Sequence, residues 1–344
     1  MKHIISLGEL LIDFIPMKQV QLEEACYVPH AGGAAANVAV AIARLGGLVR
    51  FIGAFSEDQF GQLLIQKLVD NNVDVGYSHL VREVPTTVAL VTLYPDGQRH
   101  FTFFREQTAD SQLRAEGLNW DAWNDVAVCH VGGVLLSTEP GRSATLAAIE
   151  HTHQVGSLVS FDVNIRPTLW DSSSAIRNII MNVTEQVDIL KLSIEEAEFL
   201  IANKEEFASN ALELSKLKKL GEAFLEKGPD FVIITLGSRG ALLFTHKHQI
   251  EVPAMQVAPI DTTGAGDAFM GAILYQLVQQ GINTPEDLLT LSEYEISNLG
   301  KLASLVAGLS CTRYGGCSSF PYMHEICSVM DAQKKASISS ADQG

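Results

Sequence analysis

Residues 261–272 read Asp261-Thr262-Thr263-Gly264-Ala265-Gly266-Asp267-Ala268-Phe269-Met270-Gly271-Ala272. Thr262 or Thr263 suits the cap of a helix, and the apolar pattern that follows runs through Ala272, Tyr275 and Leu277 to Gly281. A helix that begins on bare glycines offers unpaired amides and the positive end of its dipole, a natural seat for an anion. Asp267 stands where that anion would bind. An acid in the first turn of a helix can simply complement the dipole. That accounts for one aspartate, but not for two glycines, two threonines and Asp261 clustered just ahead of it. If the amides of Gly264, Ala265 and Gly266 form an anion hole for a transferring phosphoryl group, Asp267 is placed to take the proton of an attacking hydroxyl.

The surrounding chain is an ordinary globular one. Its 344 residues are 47% hydrophobic and 19% charged, and 24 Lys+Arg against 40 Asp+Glu give a net charge of −16. That acidity argues against a nucleic-acid partner, which a basic patch would betray. Met1 to Ser6 has no apolar core of a signal peptide. The apolar run Ala34–Ala43 is far short of the roughly 20 residues needed to span a bilayer. No membrane partner is therefore expected, and the cytoplasm is the expected location. Five cysteines (Cys26, Cys129, Cys311, Cys317, Cys327) without a CxxC pair argue against a disulfide framework or a zinc site. His151/His153 and His246/His248 read as surface histidines, and no HExxH, GxSxG or GxxxxGK[ST] occurs.

Strand-like runs alternate with helical ones. His3–Gly8 and Val49–Ala54 flank a helix over Ala35–Leu45, and Val126–Val131, Leu158–Asp162, Val187–Leu192 and Phe231–Leu236 complete the strand set. This alternation predicts an α/β domain with a parallel sheet covered on both faces. Two extended segments break the rhythm. Phe14–Val28 is one, and Thr86–Phe104, folded about a Pro95-Asp96-Gly97 turn, is the other. Together they predict a small antiparallel sheet projecting from the body as a flap, or a plain edge hairpin. Such a flap suggests pairing with a second copy in a homodimer. From Asp331 to Gly344 the composition turns polar and reads as a frayed tail.

The 261–272 stretch resembles the C-terminal signature of the ribokinase-like (PfkB) carbohydrate kinases. Gly32-Gly33-Ala34-Ala35-Ala36-Asn37-Val38-Ala39 with Arg44-Leu45-Gly46 resembles their N-terminal one, and family order holds from about Leu7 to Pro321. The resemblance implies a ribokinase-like three-layer α/β/α domain over residues 1–330. Its central sheet is mostly parallel, with a small β lid inserted at about 14–28 and 86–106. It implies ATP as phosphoryl donor, with Mg²⁺, and a small sugar as acceptor.

On the sugar side it nominates Asp13, Gly32, Gly33 and Asn37. Phe161-Asp162-Val163-Asn164-Ile165-Arg166-Pro167 resembles a motif of fructokinases and 2-keto-3-deoxygluconate kinases, adding Asn164 and Arg166. Arg166 suits a phosphate, a sugar-acid carboxylate or a structural ion pair. Arg105, in Phe103-Phe104-Arg105-Glu106, is a further candidate substrate contact and favours the fructokinase version. On the nucleotide side the resemblance implies Lys191, Ser193, Thr235, Gly237, Gly240, Gly266 and Ser304. Glu196 would be linked to Mg²⁺ through water, and Asp261 would help ring a monovalent cation such as K⁺. The expected activity is phosphorylation of a ketohexose, D-fructose first, with 2-keto-3-deoxygluconate as the alternative and a non-catalytic sugar binder as the remoter one.

Overall fold

The computed structural model describes residues 2–16, 26–93, 99–201 and 214–341. Strand β1 (His3–Leu7) opens the body. The chain then leaves it as β2 (Leu11–Pro16), returns as β3 (Tyr27–Gly32) and enters helix α1 (Ala34–Arg44). Strands β4 (Val49–Ile52) and β5 (Ala54–Ser56), helix α2 (Gln59–Val69) and β6 (His79–Val81) follow. A second excursion is built from β7 (Val88–Leu93) and β8 (Arg99–Phe104).

Strand–helix alternation then resumes. It runs through β9 (Val126–Gly132), α3 (Gly141–Gln154), β10 (Leu158–Asp162), α4 (Ser173–Thr184), β11 (Ile189–Ser193) and α5 (Ile194–Ile201). Helix α6 (Leu214–Leu225) precedes β12 (Phe231–Thr235) and the hairpin β13 (Ala241–Thr245)–β14 (Gln249–Val252). The last helices are α7 (Ala265–Gln279), α8 (Pro285–Leu288), α9 (Glu293–Ser310), α10 (Gly316–Ser319) and α11 (Met323–Ala341).

Eight strands form the central sheet in the order β14-β13-β12-β11-β10-β9-β1-β4. All its pairings are parallel except those of β13 with β12 and with β14. One apolar core, with Val38, Ile42, Met270, Ile273, Ile296 and Leu299, packs α1, α7 and α9 on one face. The other, with Ala148, Ile149, Ile180, Leu220 and Phe224, packs α3, α4 and α6 on the opposite face. Three layers result, because fully buried parallel strands need helical cover on both sides. The carboxyl ends of β1, β9, β10 and β11 consequently open into one crevice, the usual place for a ligand in such a sheet.

The projecting sheet has four strands, β3-β2-β7-β8, and its middle pair β2–β7 is parallel rather than antiparallel. Both of those strands run outward from the body, and each pairs antiparallel with its own returning strand. Residues 17–25 and 94–98 lie outside the described residues, and with them the Pro95-Asp96-Gly97 turn. The run expected as one strand over Val49–Ala54 is split at Gly53 into β4, in the main sheet, and β5, which pairs β6 elsewhere. The stretch expected as a frayed tail continues α11 as far as Ala341, in keeping with the helix-forming Ala, Gln and Lys at 332–335.

Gly33 sets the approach of α1 to the crevice. Its φ is +106°, and a Cβ there would lie 2.4 Å from the Glu9 carbonyl oxygen. Gly33→Ala is expected to destabilise the fold by roughly 2–4 kcal/mol. The check is the midpoint of urea unfolding, and an unshifted midpoint would mean that the turn relaxes freely.

Candidate active site

Helix α7 enters through Gly264, held left-handed at φ +77°, and no side chain caps it. The expected threonine cap is absent: Thr263 instead gives its amide to Asp261 Oδ1 at 2.8 Å. The Ala265 amide turns back to the Thr262 carbonyl (3.2 Å), and the glycine entry leaves the next amides of the first turn uncovered. The first intrahelical bond runs from Ala268 N–H to the Gly264 carbonyl (2.8 Å), and the amides of Gly266 and Asp267 lie ahead of it at the helix's open end. Asp267, in that first turn, accepts a 2.7 Å hydrogen bond on Oδ2 from Asn37 Nδ2. Asn37 also takes the Cys317 amide on its Oδ1 (3.1 Å), so α1, α7 and α10 are braced by one buried amide. Burial, reinforced by the charge of Asp162, pushes the Asp267 carboxyl up to about 7, against the opposing pull of Lys191, Asn37 and Arg166.

The floor of the crevice is a cluster of charges on strand ends. Asp162 and Lys191 are register partners on β10 and β11, and Lys191 Nζ donates to Asp162 Oδ2 at 2.6 Å. A Cβ on Gly266 would sit 3.2 Å from the same Nζ, so the ammonium lies against the open end of α7. Burial alone would lower the Lys191 pKa, but Asp162, Asp267 and Glu196 together raise it, and the lysine stays charged.

Glu196 accepts the amides of Ile165 (2.7 Å) and Ser193 (2.8 Å) on its two oxygens, while Ser193 Oγ accepts the Glu196 amide (3.2 Å). This is a capping box at the head of α5, and it explains the Ser-x-x-Glu spacing. Burial and the charge of Asp162 raise the Glu196 pKa. Asn164 holds a left-handed φ of +40° in the loop after β10, the kind of strained backbone that collects at functional sites. Arg166 lies over the Phe101 ring of the lid (5.8 Å) and has no carboxylate within ion-pair distance among the described residues. The ion-pair alternative for Arg166 is thereby set aside.

Asp13, on β2, lies against Gly32 so closely that a Cβ there would fall 2.1 Å from its Oδ2. Arg105 sits just past β8 with its side chain 5% exposed, paired to Asp110 Oδ2 at 2.7 Å.

Beside α7 a cavity of about 420 Å³ is lined by Thr235, Gly237, Gly240, Gly266 and Ser304. Its size falls within the range of small-molecule sites. The Ser304 hydroxyl is committed to the wall: it donates to the Pro253 carbonyl (2.7 Å) and accepts the Met255 amide (3.0 Å). Lys191 and Ser193 stand outside this lining, on the floor. Asp261, 4% exposed, accepts the Gly315 amide on Oδ2 (3.0 Å), which joins the loop ahead of α7 to the loop after α9. Arg313 is turned away from it onto Glu325.

Several participants went unnamed in the sequence. Asp162 tunes Asp267, Glu9 takes the Ala34 amide at the head of α1 (2.6 Å), and Phe269 and Met255 wall the cavity. The two acids had a usable signal, since both stand at or just past the carboxyl ends of parallel strands. The cavity wall had none, because apolar residues there look like any core.

Comparison with known proteins places this geometry in context. The pfkB family carbohydrate kinase model matches residues 1–323. Fructokinase-1 of Oryza sativa subsp. japonica is 37% identical over 331 residues, spanning 96% of this chain and 98% of that protein. The crystal structure of fructokinase with bound ATP from Xylella fastidiosa has a TM-score of 0.85 at 28% identity, covering 96% of this chain and 99% of that one. A fructokinase double mutant from Vibrio cholerae O395, in a form with bound fructose, ADP and potassium ion, has a TM-score of 0.79 at 31% identity over 95% and 98% of the two chains.

The buried Asp267 has a consequence for stability. Its folded pKa of about 7 lies above the ordinary 3.8, so the unfolded chain ionises first. Folding is therefore penalised progressively as the pH rises from about 4, and fully above about 7. Asp267→Asn should remove that penalty. Relative to the parent chain, its unfolding free energy is expected to gain on the order of 3 kcal/mol between pH 4 and pH 8. Urea denaturation at both pH values checks this, and a pH-independent difference would contradict it.

Proposed function

The chain belongs to the pfkB family of carbohydrate kinases, and on that premise we propose that it transfers the γ-phosphoryl group of MgATP to a hydroxyl of D-fructose. One observation carries the reading: a buried carboxyl poised near neutrality, Asp267, shares a helix's first turn with uncapped amides that border a 420 Å³ cavity. A sugar hydroxyl hydrogen-bonded to Asp267 loses its proton to that carboxylate as it attacks. The open amide of Gly266, with those of Gly264 and Ala265 beside it, meets the charge that develops on the phosphoryl oxygens. Lys191, beneath them, and Arg166, stacked on the lid's Phe101, add positive charge in a chain of net −16. Asp13, Gly32, Gly33, Asn164 and Arg105 surround the acceptor, and Asn37 orients the base.

Thr235, Gly237, Gly240 and Ser304 border the space for the nucleotide. Both Glu196 oxygens already accept amides, which suits contact with Mg²⁺ through water. Bound with the nucleotide, that ion would neutralise phosphate charge. Asp261 and the carbonyls around 313–315 are the set suited to a monovalent cation, since Arg313 is committed elsewhere. Phe104, at the end of β8, is 60% exposed, and a second copy laid on the lid would cover it.

The names of the relatives favour fructose. A second reading, 2-keto-3-deoxygluconate, draws on Arg166, whose guanidinium donates from Nη1 to the Ile165 carbonyl and has no carboxylate within ion-pair distance among the described residues, which suits a substrate carboxylate. ADP release measured across hexoses, pentoses and keto acids, with and without K⁺, decides between them: fructose poor and the keto acid good would reverse the order. Asp267→Ala should lower kcat by roughly 10²–10⁴-fold in a chain that still folds. A loss under tenfold would remove it as the base. With the parent enzyme, kcat/KM should climb with pH and level off above about 7 as Asp267 ionises, and a flat profile from pH 5 to 9 would contradict that role.

A further inference from the structure

Two side chains beside the turn after β9 each keep one buried polar atom without a hydrogen-bond partner among the described residues. Glu9 is 1% exposed and accepts the Ala34 amide on Oε1, while its Oε2 has no hydrogen-bond partner among the described residues. A Cβ placed on Gly132, the last residue of β9, would lie 3.9 Å from that Oε2, so the atom faces the carboxyl edge of the sheet. Arg105 donates from Nε to Asp110 and from Nη1 to Ser137 Oγ (3.1 Å), in the same post-β9 turn, while its Nη2 has no partner among the described residues.

Arg105 is not free to swing away. Asp110 is also held by Thr87, at the root of β7, and by Thr108 (3.0 Å), so the arginine is clamped where both lid strands join the body. The two open groups share one electrostatic neighbourhood: burial raises the Glu9 pKa, and Arg105 opposes it. An acceptor and a donor left open together in a desolvated site call for something that both gives and takes a hydrogen bond. A sugar hydroxyl does both.

We propose that Glu9 Oε2 and Arg105 Nη2 form a hydroxyl-reading subsite where the lid strands join the body, in which one substrate hydroxyl donates to Glu9 and accepts from Arg105. Glu9 adds to the sugar set a residue that lies outside both glycine-bearing segments, and it makes Arg105 half of a pair. The inference rests on the sugar-kinase reading above. It predicts discrimination, because a substrate lacking that one hydroxyl strands both partners.

The test measures kcat/KM for the whole enzyme, Glu9→Gln and Arg105→Lys against the accepted sugar and its monodeoxy analogues. In Glu9→Gln the remaining oxygen stays with Ala34 and an NH₂ replaces the acceptor. One deoxy analogue should be disfavoured at least 100-fold by the parent enzyme. Both variants should shrink that factor at least tenfold, and leave the factors for the other analogues unchanged. A uniform loss for every sugar, as expected if the two groups merely close on each other or on water, overturns the proposal. Phosphorylation of the keto acid but not fructose by the parent enzyme overturns the fructose assignment instead, and the subsite is then tested with deoxy analogues of the keto acid. Should Glu9→Gln fail to fold by circular dichroism, the discrimination factors of Arg105→Lys alone uphold or overturn the subsite.

Discussion

The crevice depends on one buried ammonium. Asp162, Glu196 and Asp267 bring three carboxyls to the ends of β10 and β11 and the head of α7, in a chain that already carries 16 excess negative charges. Lys191, 2.6 Å from Asp162, is the cation that makes this bearable. A buried charge without a partner costs several kcal/mol, so each member of the cluster constrains the others. The arrangement leaves one acid, Asp162, ion-paired and another, Asp267, lifted toward neutrality, a division suited to a base that must take up a proton and release it again.

Positioning comes from the backbone as much as from charge. Asn37 ties the base to α1 and α10, Glu196 ties the loop after β10 to the head of α5, and Asp261 ties the approach of α7 to the end of α9. Each is a single side chain spanning segments far apart in sequence. The lid is fixed to the body in the same way, through Arg105, Asp110 and Thr87 at the roots of β7 and β8. A site held by such braces is preorganised, and substrate binding need not order it.

Much of this is legible in the order of residues alone. Alternating strand and helix patterns locate six of the eight central strands, because parallel strands buried on both faces are continuous apolar runs. The β13–β14 hairpin escapes that pattern, and the split at Gly53 is invisible to it, since an apolar run does not reveal that its two halves join different sheets. The glycines before Asp267 announce an anion site, but the threonine cap expected from the same residues is not formed: the helix starts one residue later, through a left-handed glycine. The polar composition after Asp331 suggests fraying where helix continues, because composition alone does not separate an exposed helix from coil.

By itself the sequence determined the layered α/β architecture, the identity of the acid beside the glycines, and the order of the segments that meet around it. Those are properties of local spacing, which periodicity and glycine placement express directly. Only the tertiary structure decided which groups face one another: that Asn37 grips the base, that Lys191 lies under the helix head rather than in solvent, and that Glu9 and Arg105 both reach the turn after β9. Hydrogen bonds and fields act over a few ångströms in space, and chain order fixes those distances only after the sheet has brought its strand ends together.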